Sequence, residues 1–165
     1  MHDTQNKGRR WVLSTFDESR AAVAEIAATA KRRLSIYTPD LEPGIYDHDA
    51  FLEVAKRLVL SKRYARIRVL ISDPARAVRN GNRFVSLGRR LNSYIEFRTV
   101  LEDYRDHREA FLVADNTALL YRVDATRWEG IADTYEPAVA ARYLGLFDEI
   151  WNASVVEQEL RELRV

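Results

Sequence analysis

Asp106 to Arg122 reads DHREAFLVADNTALLYR, a lone histidine in a charged approach followed by two apolar runs around a polar break. Ala110 to Ala114 is one run and Leu119 to Tyr121 the other, while Asp115, Asn116 and Thr117 between them tolerate turn geometry. The pattern predicts a β-hairpin with His107 at its entrance. Immediately upstream, Tyr94 to Arg98 alternates Ile95 and Phe97 against polar neighbours, as a half-buried strand does, and acidic residues between 102 and 106 connect it to the hairpin. Downstream, Val123 to Tyr135 reads as a long loop. Pro137 then opens a helix in which Val139, Ala140, Tyr143, Leu144, Phe147, Ile150 and Trp151 form a wide apolar stripe.

Further from the hairpin, strands alternate with helices. Trp11 to Leu13 is a short strand candidate, and Thr15 with Glu18 has the spacing of a capping box for the helix that carries Val23, Ile26, Ala27 and Ala30. Leu34 to Thr38 reads as a buried strand that Pro39 to Gly44 ends as a loop, after which Asp47 is placed to cap a second helix with Phe51, Val54, Ala55 and Leu58 on one side. Ile67 to Ser72 is the next strand. Beyond Asp73-Pro74 and a turn at Asn80-Gly81, a third helix carries Phe84, Leu87 and Leu91. The order predicts an α/β fold, a mixed sheet flanked by helices on both faces.

The 165 residues suit one domain, and such a domain buries roughly 70% of its unfolded surface. Residues 1 to 9 are polar and read as a flexible lead-in to a single domain over 10 to 165, which ends in a short amphipathic tail. Charged residues make up 31% of the chain yet the net charge is only +1, so composition describes a soluble globular protein and names no partner. There is no cysteine, which excludes disulfides, thiolate metal sites and cysteine nucleophiles. Neither an apolar leader nor an apolar run near ~18 residues is present, so the expected location is the cytoplasm, without a membrane span.

In order of elements from about Arg10 to Asn152, and at the hairpin entrance, the chain resembles a single half-domain of the phospholipase D-like superfamily. The motif there is H-x-K-x-x-x-x-D: His107 matches the histidine, Glu109 stands at the lysine position, and Ala114 stands at the acidic position with Asp115 one residue late. In that family the imidazole attacks phosphorus, the lysine binds the phosphate and the acidic residue orients the partner histidine. The stretches YTPDLEP, ISDP and RYLGLFDEIW also resemble a bacterial family of unknown function with this fold, some of whose members accompany or are fused to an N-acetyltransferase domain. The resemblance implies two half-domains packed as a homodimer with motif ends facing. The wide aromatic stripe of the last helix adds to this expectation.

Two functions follow for His107. With Glu109 reversing the charge of the lysine, the first is a non-catalytic module that binds an anionic ligand or a protein partner, its contacts drawn from Arg108, Arg122, Arg127 and Trp128. The second is a phosphodiesterase or nuclease in which two copies of His107 meet and Arg108 or Arg122 replaces the lysine. Asp73 and Asp115 end predicted strands, and paired carboxylates at strand ends can hold Mg²⁺, but loop capping is the commoner explanation, and no metal or cofactor is expected. Residues 62 to 98 contain ten Lys or Arg against Asp73 and Glu96, and the balance reverses from Glu102 to Glu136. Without interleaved aromatics in sequence, that segregation favours charge pairing or a solvated face over nucleic acid.

Overall fold

The computed structural model describes residues 8–79 and 81–156. The flexible segment expected over 1 to 9 lies outside the described residues up to position 7, as do Asn80 of the expected turn and the amphipathic tail from 157 onward. Eight strands form one mixed sheet. They are β1 (Arg10–Leu13), β2 (Arg33–Thr38), β3 (Arg66–Ile71), β4 (Ile95–Thr99), β5 (Ala110–Ala114), β6 (Ala118–Arg122), β7 (Gly130–Asp133) and β8 (Val155–Val156), in the spatial order β1-β7-β6-β5-β2-β3-β4-β8. The helices are α1 (Phe16–Ala27), α2 (Asp49–Ser61), α3 (Pro74–Arg79), α4 (Arg83–Arg90) and α5 (Pro137–Ala153). β2, β3 and β4 run parallel, whereas β5 pairs antiparallel to β2 and begins an antiparallel half with β6, β7 and β1.

The alternation of side chains along each strand divides the core in two. Ile36, Val69, Leu112 and Leu120 join the helices α1, α2 and α4 on one face, whereas Tyr37, Leu70, Phe111, Val113 and Leu119 meet α5 on the other. All five residues of β5 are buried, which explains why its sequence is continuously apolar and not alternating. The α5 stripe is consumed inside the chain: Phe147 is fully buried and Trp151 7% exposed, with Phe111 against Tyr143 at 4.8 Å and Phe147 stacked on Trp151 at 5.6 Å. Phe147, Ile150 and Trp151 are therefore spent on the chain's own core, whereas Tyr143 and Leu144 stay half-buried.

Local chemistry sets the junctions. Thr15 and Glu18 form the capping box of α1. The Asp115 carboxylate accepts the backbone N–H groups of Lys31, Arg32 and Arg33 at 2.8 to 3.0 Å, while Asp115 itself holds a φ of 56°, in the left-handed region that aspartate tolerates. Asp73 accepts the backbone N–H of Arg76 at 3.3 Å and starts α3. Asp73 and Asp115 therefore serve as caps at opposite ends of the sheet and do not form a pair for Mg²⁺.

Three expectations change. Asp47 does not cap α2, whose N-cap is His48; its carboxylate takes the backbone N–H and Nε of Arg83 at 3.1 and 3.0 Å and so steadies the start of α4. The short α3 fills what read as a break after β3. The loop after the hairpin contains β7, a four-residue strand with only Ile131 and Ala132 apolar, too short to announce itself; it forms because β6 and the distant β1 flank it.

Phe111 lies stacked at 5.3 Å from Tyr37 and under α5, so Phe111→Ala should cost ~3–5 kcal/mol. His107→Ala, at a side chain 36% exposed, should barely move the melting temperature in the same thermal melts. Asp115→Ala, which orphans three N–H groups, should cost about 2–3 kcal/mol in urea unfolding, and Asp115→Asn clearly less. At the start of α2, burial and then the Arg20 guanidinium hold the His48 imidazole below its ordinary value of 6.5. The unfolded chain then takes up the proton first, so this residue's contribution to stability is lost as pH falls below 6.5 through the lower folded value. Melting curves at about pH 7.5 and about pH 5.5 should therefore differ more for the wild type than for His48→Asn.

Candidate functional site

At the carboxyl ends of β2 and β3, where open α/β sheets place their ligands, the chain leaves a cleft of about 270 Å³. Pro39 and Ser72 follow those strands, His107 to Glu109 lead into β5, and residues 124 to 126 follow β6; together they line it. The antiparallel hairpin accounts for the meeting, because the start of β5 and the end of β6 both fall at this end of the sheet. His107 Nδ1 lies 3.7 Å from Glu109 Oε1. Arg108 is exposed on the rim, and its carbonyl accepts the Ala125 N–H at 2.7 Å, tying the two walls together. Opposite, Asp124 Oδ1 accepts the backbone N–H and the hydroxyl of Thr126 at 2.9 and 2.6 Å, and these bonds hold its carboxyl below the ordinary range.

Glu109 also acts on the sheet beneath. The Tyr37 phenol is pushed up to about 12, first by burial and then by the Glu109 charge. Its hydroxyl, buried beside Ser72, finds no well-formed hydrogen-bond partner. Tyr37 thus stays a neutral phenol in the core behind Glu109, while the cleft itself carries His107, Arg108, Glu109 and Asp124. With histidine counted neutral, Arg108 stands against both Glu109 and Asp124, so the lining is not a cationic cradle.

Arg122 and Trp128 occupy a second, buried cluster. Arg122 is 2% exposed; it donates Nη2 to Glu42 and, at 3.1 Å, to the Ala125 carbonyl, and its guanidinium lies 4.7 Å from the centre of the Trp128 ring. Trp128 in turn packs edge-on against Phe16 at 5.3 Å. The loop from Pro39 to His48 that supplies Glu42 folds back through Leu41 (φ 55°) and Gly44 (φ 84°), where a side chain would meet the Phe16 ring. Burial raises the carboxyls of Asp40 and Glu42 despite the opposing arginines Arg76 and Arg122. Tyr46 is raised as well, by burial and then Glu42.

Of the four expected ligand contacts, the fold therefore brings Arg108 into the cleft with His107, leaves Arg127 exposed beside it, and commits Arg122 and Trp128 to holding the 39–48 loop. Sequence reading missed Ser72, Asp124 and Thr126 as part of the cleft. Ser72 read as the end of a strand and the other two as loop, and only the topology gathers them. Asp40 and Glu42 stand in a proline-bounded loop, and nothing in their spacing names Arg122, 80 residues on, as the partner of Glu42. Among the described residues no group of three or more His, Asp or Glu side chains could hold a metal ion. No described helix is long and apolar enough to cross a membrane.

Solved structures share this architecture. Nuc from Salmonella typhimurium, a phospholipase D family member, aligns over 94% of this chain and 100% of its own with TM-score 0.63 and 17% identity. NucT from Helicobacter pylori aligns over 92% and 100% with TM-score 0.57 and 8% identity. TrmBL2, an archaeal chromatin protein described with a novel mode of DNA binding, aligns over 88% of this chain with TM-score 0.62 and 13% identity, and the chain spans 53% of its length. At these identities the likeness establishes the fold, which is phospholipase D-like. No curated protein matches the sequence. The model of a domain of unknown function, DUF7931, matches residues 15–163, and the chain belongs to that family.

Proposed function

We propose that this protein is a non-catalytic phospholipase D-like module that binds an anionic ligand or a protein partner at the His107 cleft. The observation that carries the reading is the Glu109 carboxylate, 3.7 Å from the His107 ring at the position where the family motif has its phosphate-binding lysine. At ~4 Å, two unit negative charges repel by about 4 kcal/mol at an effective dielectric near 20, so a phosphodiester brought to His107 meets repulsion where the motif supplies attraction. Asp124 across the cleft adds to it. The fold does not argue against the reading, since one architecture serves both Nuc and the archaeal chromatin protein TrmBL2.

In this proposal Arg108 supplies the cationic contact, Arg127 adds to it from outside, and the Arg122–Trp128 cluster keeps the rim in place. Pairing of two chains through their motif ends belongs to the same proposal. Val123, 70% exposed beside the cleft, supports it as an apolar contact point at that end.

Hydrolysis of bis(p-nitrophenyl) phosphate is the direct test. The wild type should give no rate above buffer, and Glu109→Lys should bind inorganic phosphate about tenfold or more tighter, since removing and then reversing the charge recovers more than 1.4 kcal/mol. A wild-type rate that disappears in His107→Ala would overturn the proposal in favour of a phosphodiesterase built from two copies of His107. Light scattering on eluting protein should give twice 19.1 kDa; a mass of one chain at all micromolar concentrations removes the dimer.

A further inference from the structure

The opposite end of the sheet, where β2, β3 and β4 begin, gathers cations that lie far apart in the sequence. The register Arg33↔Arg66 and Ile67↔Ile95 sets the loops before these strands side by side. Lys31, Arg32 and Arg33 arrive from one, Lys62, Arg63 and Tyr64 from the second, and Tyr94 from the third. Two hollows of about 510 and about 270 Å³ share Arg33 and Arg68 in their walls, so they form one groove from the Asp115–Asn116 turn to Tyr94.

Its chemistry is specific. Tyr64 is 57% exposed, with the Arg32 guanidinium 5.5 Å and the Lys62 ammonium 6.0 Å from its ring centre. Arg66 lies 5.3 Å from the Tyr94 ring. Among the described residues, Lys31, Arg32, Arg33, Lys62 and Arg63 enter no ion pair, whereas the acids here are occupied: Asp115 by three backbone N–H groups, Asp148 by Arg68 and Glu96 by Arg98. The fold thus builds the tight basic cluster with aromatic neighbours that the linear sequence did not show.

We infer that this groove, together with the Tyr64 surface beside it, binds single-stranded nucleic acid, its cations following the phosphates and the exposed Tyr64 ring offering a face on which a base stacks. An anionic membrane would use the charge but has no need of an exposed tyrosine face, and an acidic protein would not stack on it. The inference is independent of the His107 cleft, which lies at the other end of the strands.

The test is fluorescence anisotropy with a labelled oligothymidylate about 20 nucleotides long at about 50 mM salt. The wild type should bind, with affinity falling steeply as salt rises. Arg32→Glu/Arg63→Glu should weaken binding at least about tenfold and flatten the salt slope by about 1.4, two phosphate contacts at 0.7 each. Tyr64→Ala, which keeps every charge, should weaken it about tenfold through lost stacking. Arg57→Glu/Arg142→Glu, an equal charge change on exposed helix positions, should change it little, and thermal melts confirm that each variant is folded. Absence of binding, equal loss in the charge-matched control, or indifference to Tyr64→Ala would overturn the inference. So would binding to phosphatidylserine vesicles as tight as to the oligonucleotide, or a salt-sensitive dimer that Arg32→Glu/Arg63→Glu dissociates without any oligonucleotide binding.

Discussion

The structure depends on one carboxylate. Asp115 ends β5 and closes on the three N–H groups that lead into β2, so it fixes how the antiparallel half of the sheet meets the parallel half. A slip of one residue there would exchange the two faces of β5, putting Phe111 and Val113 under α1 and Leu112 under α5. With the register held, the start of β5 necessarily lies beside the ends of β2 and β3, and the His107 cleft exists. The same carboxylate occupies the backbone donors of Lys31, Arg32 and Arg33 and leaves their side chains to the basic groove. Both ends of the sheet thus inherit their character from a single turn residue.

Most of the scaffold was legible because its elements are locally consistent. Thr15 and Glu18, the apolar β5, Pro137 and the α5 stripe each say one thing, and the structure repeats it. What escaped was decided at long range. β7 owes its existence to β1, whose residue Arg10 faces Asp133 across more than a hundred positions. Asp47 looked like a cap for the helix that follows it and instead serves Arg83, because α2 and α4 start close together.

The sites were legible in part for a related reason. His107 and Arg108 could be placed from the hairpin alone, and Glu109 already carried the main chemical message. Arg122 could not be assigned, since its role depends on Glu42 arriving from a loop 80 residues earlier. The clustering of cations at one end of the sheet was hidden for a different reason: along the chain they lie far apart, but parallel strands that all begin at one end bring their entry loops side by side.

The position of β1 bears on how the chain is made. Among the described residues β1 pairs only with β7, on the far side of β6 from the centre of the sheet. During synthesis from the N-terminus, β2, β3 and β4 can associate as each emerges, whereas residues 10 to 13 have no sheet partner until residues 130 to 133 are available. Through that interval an exposed strand must be kept from pairing elsewhere. Arg9 and Arg10, charged residues at its leading end, are of the kind that discourages edge-to-edge association.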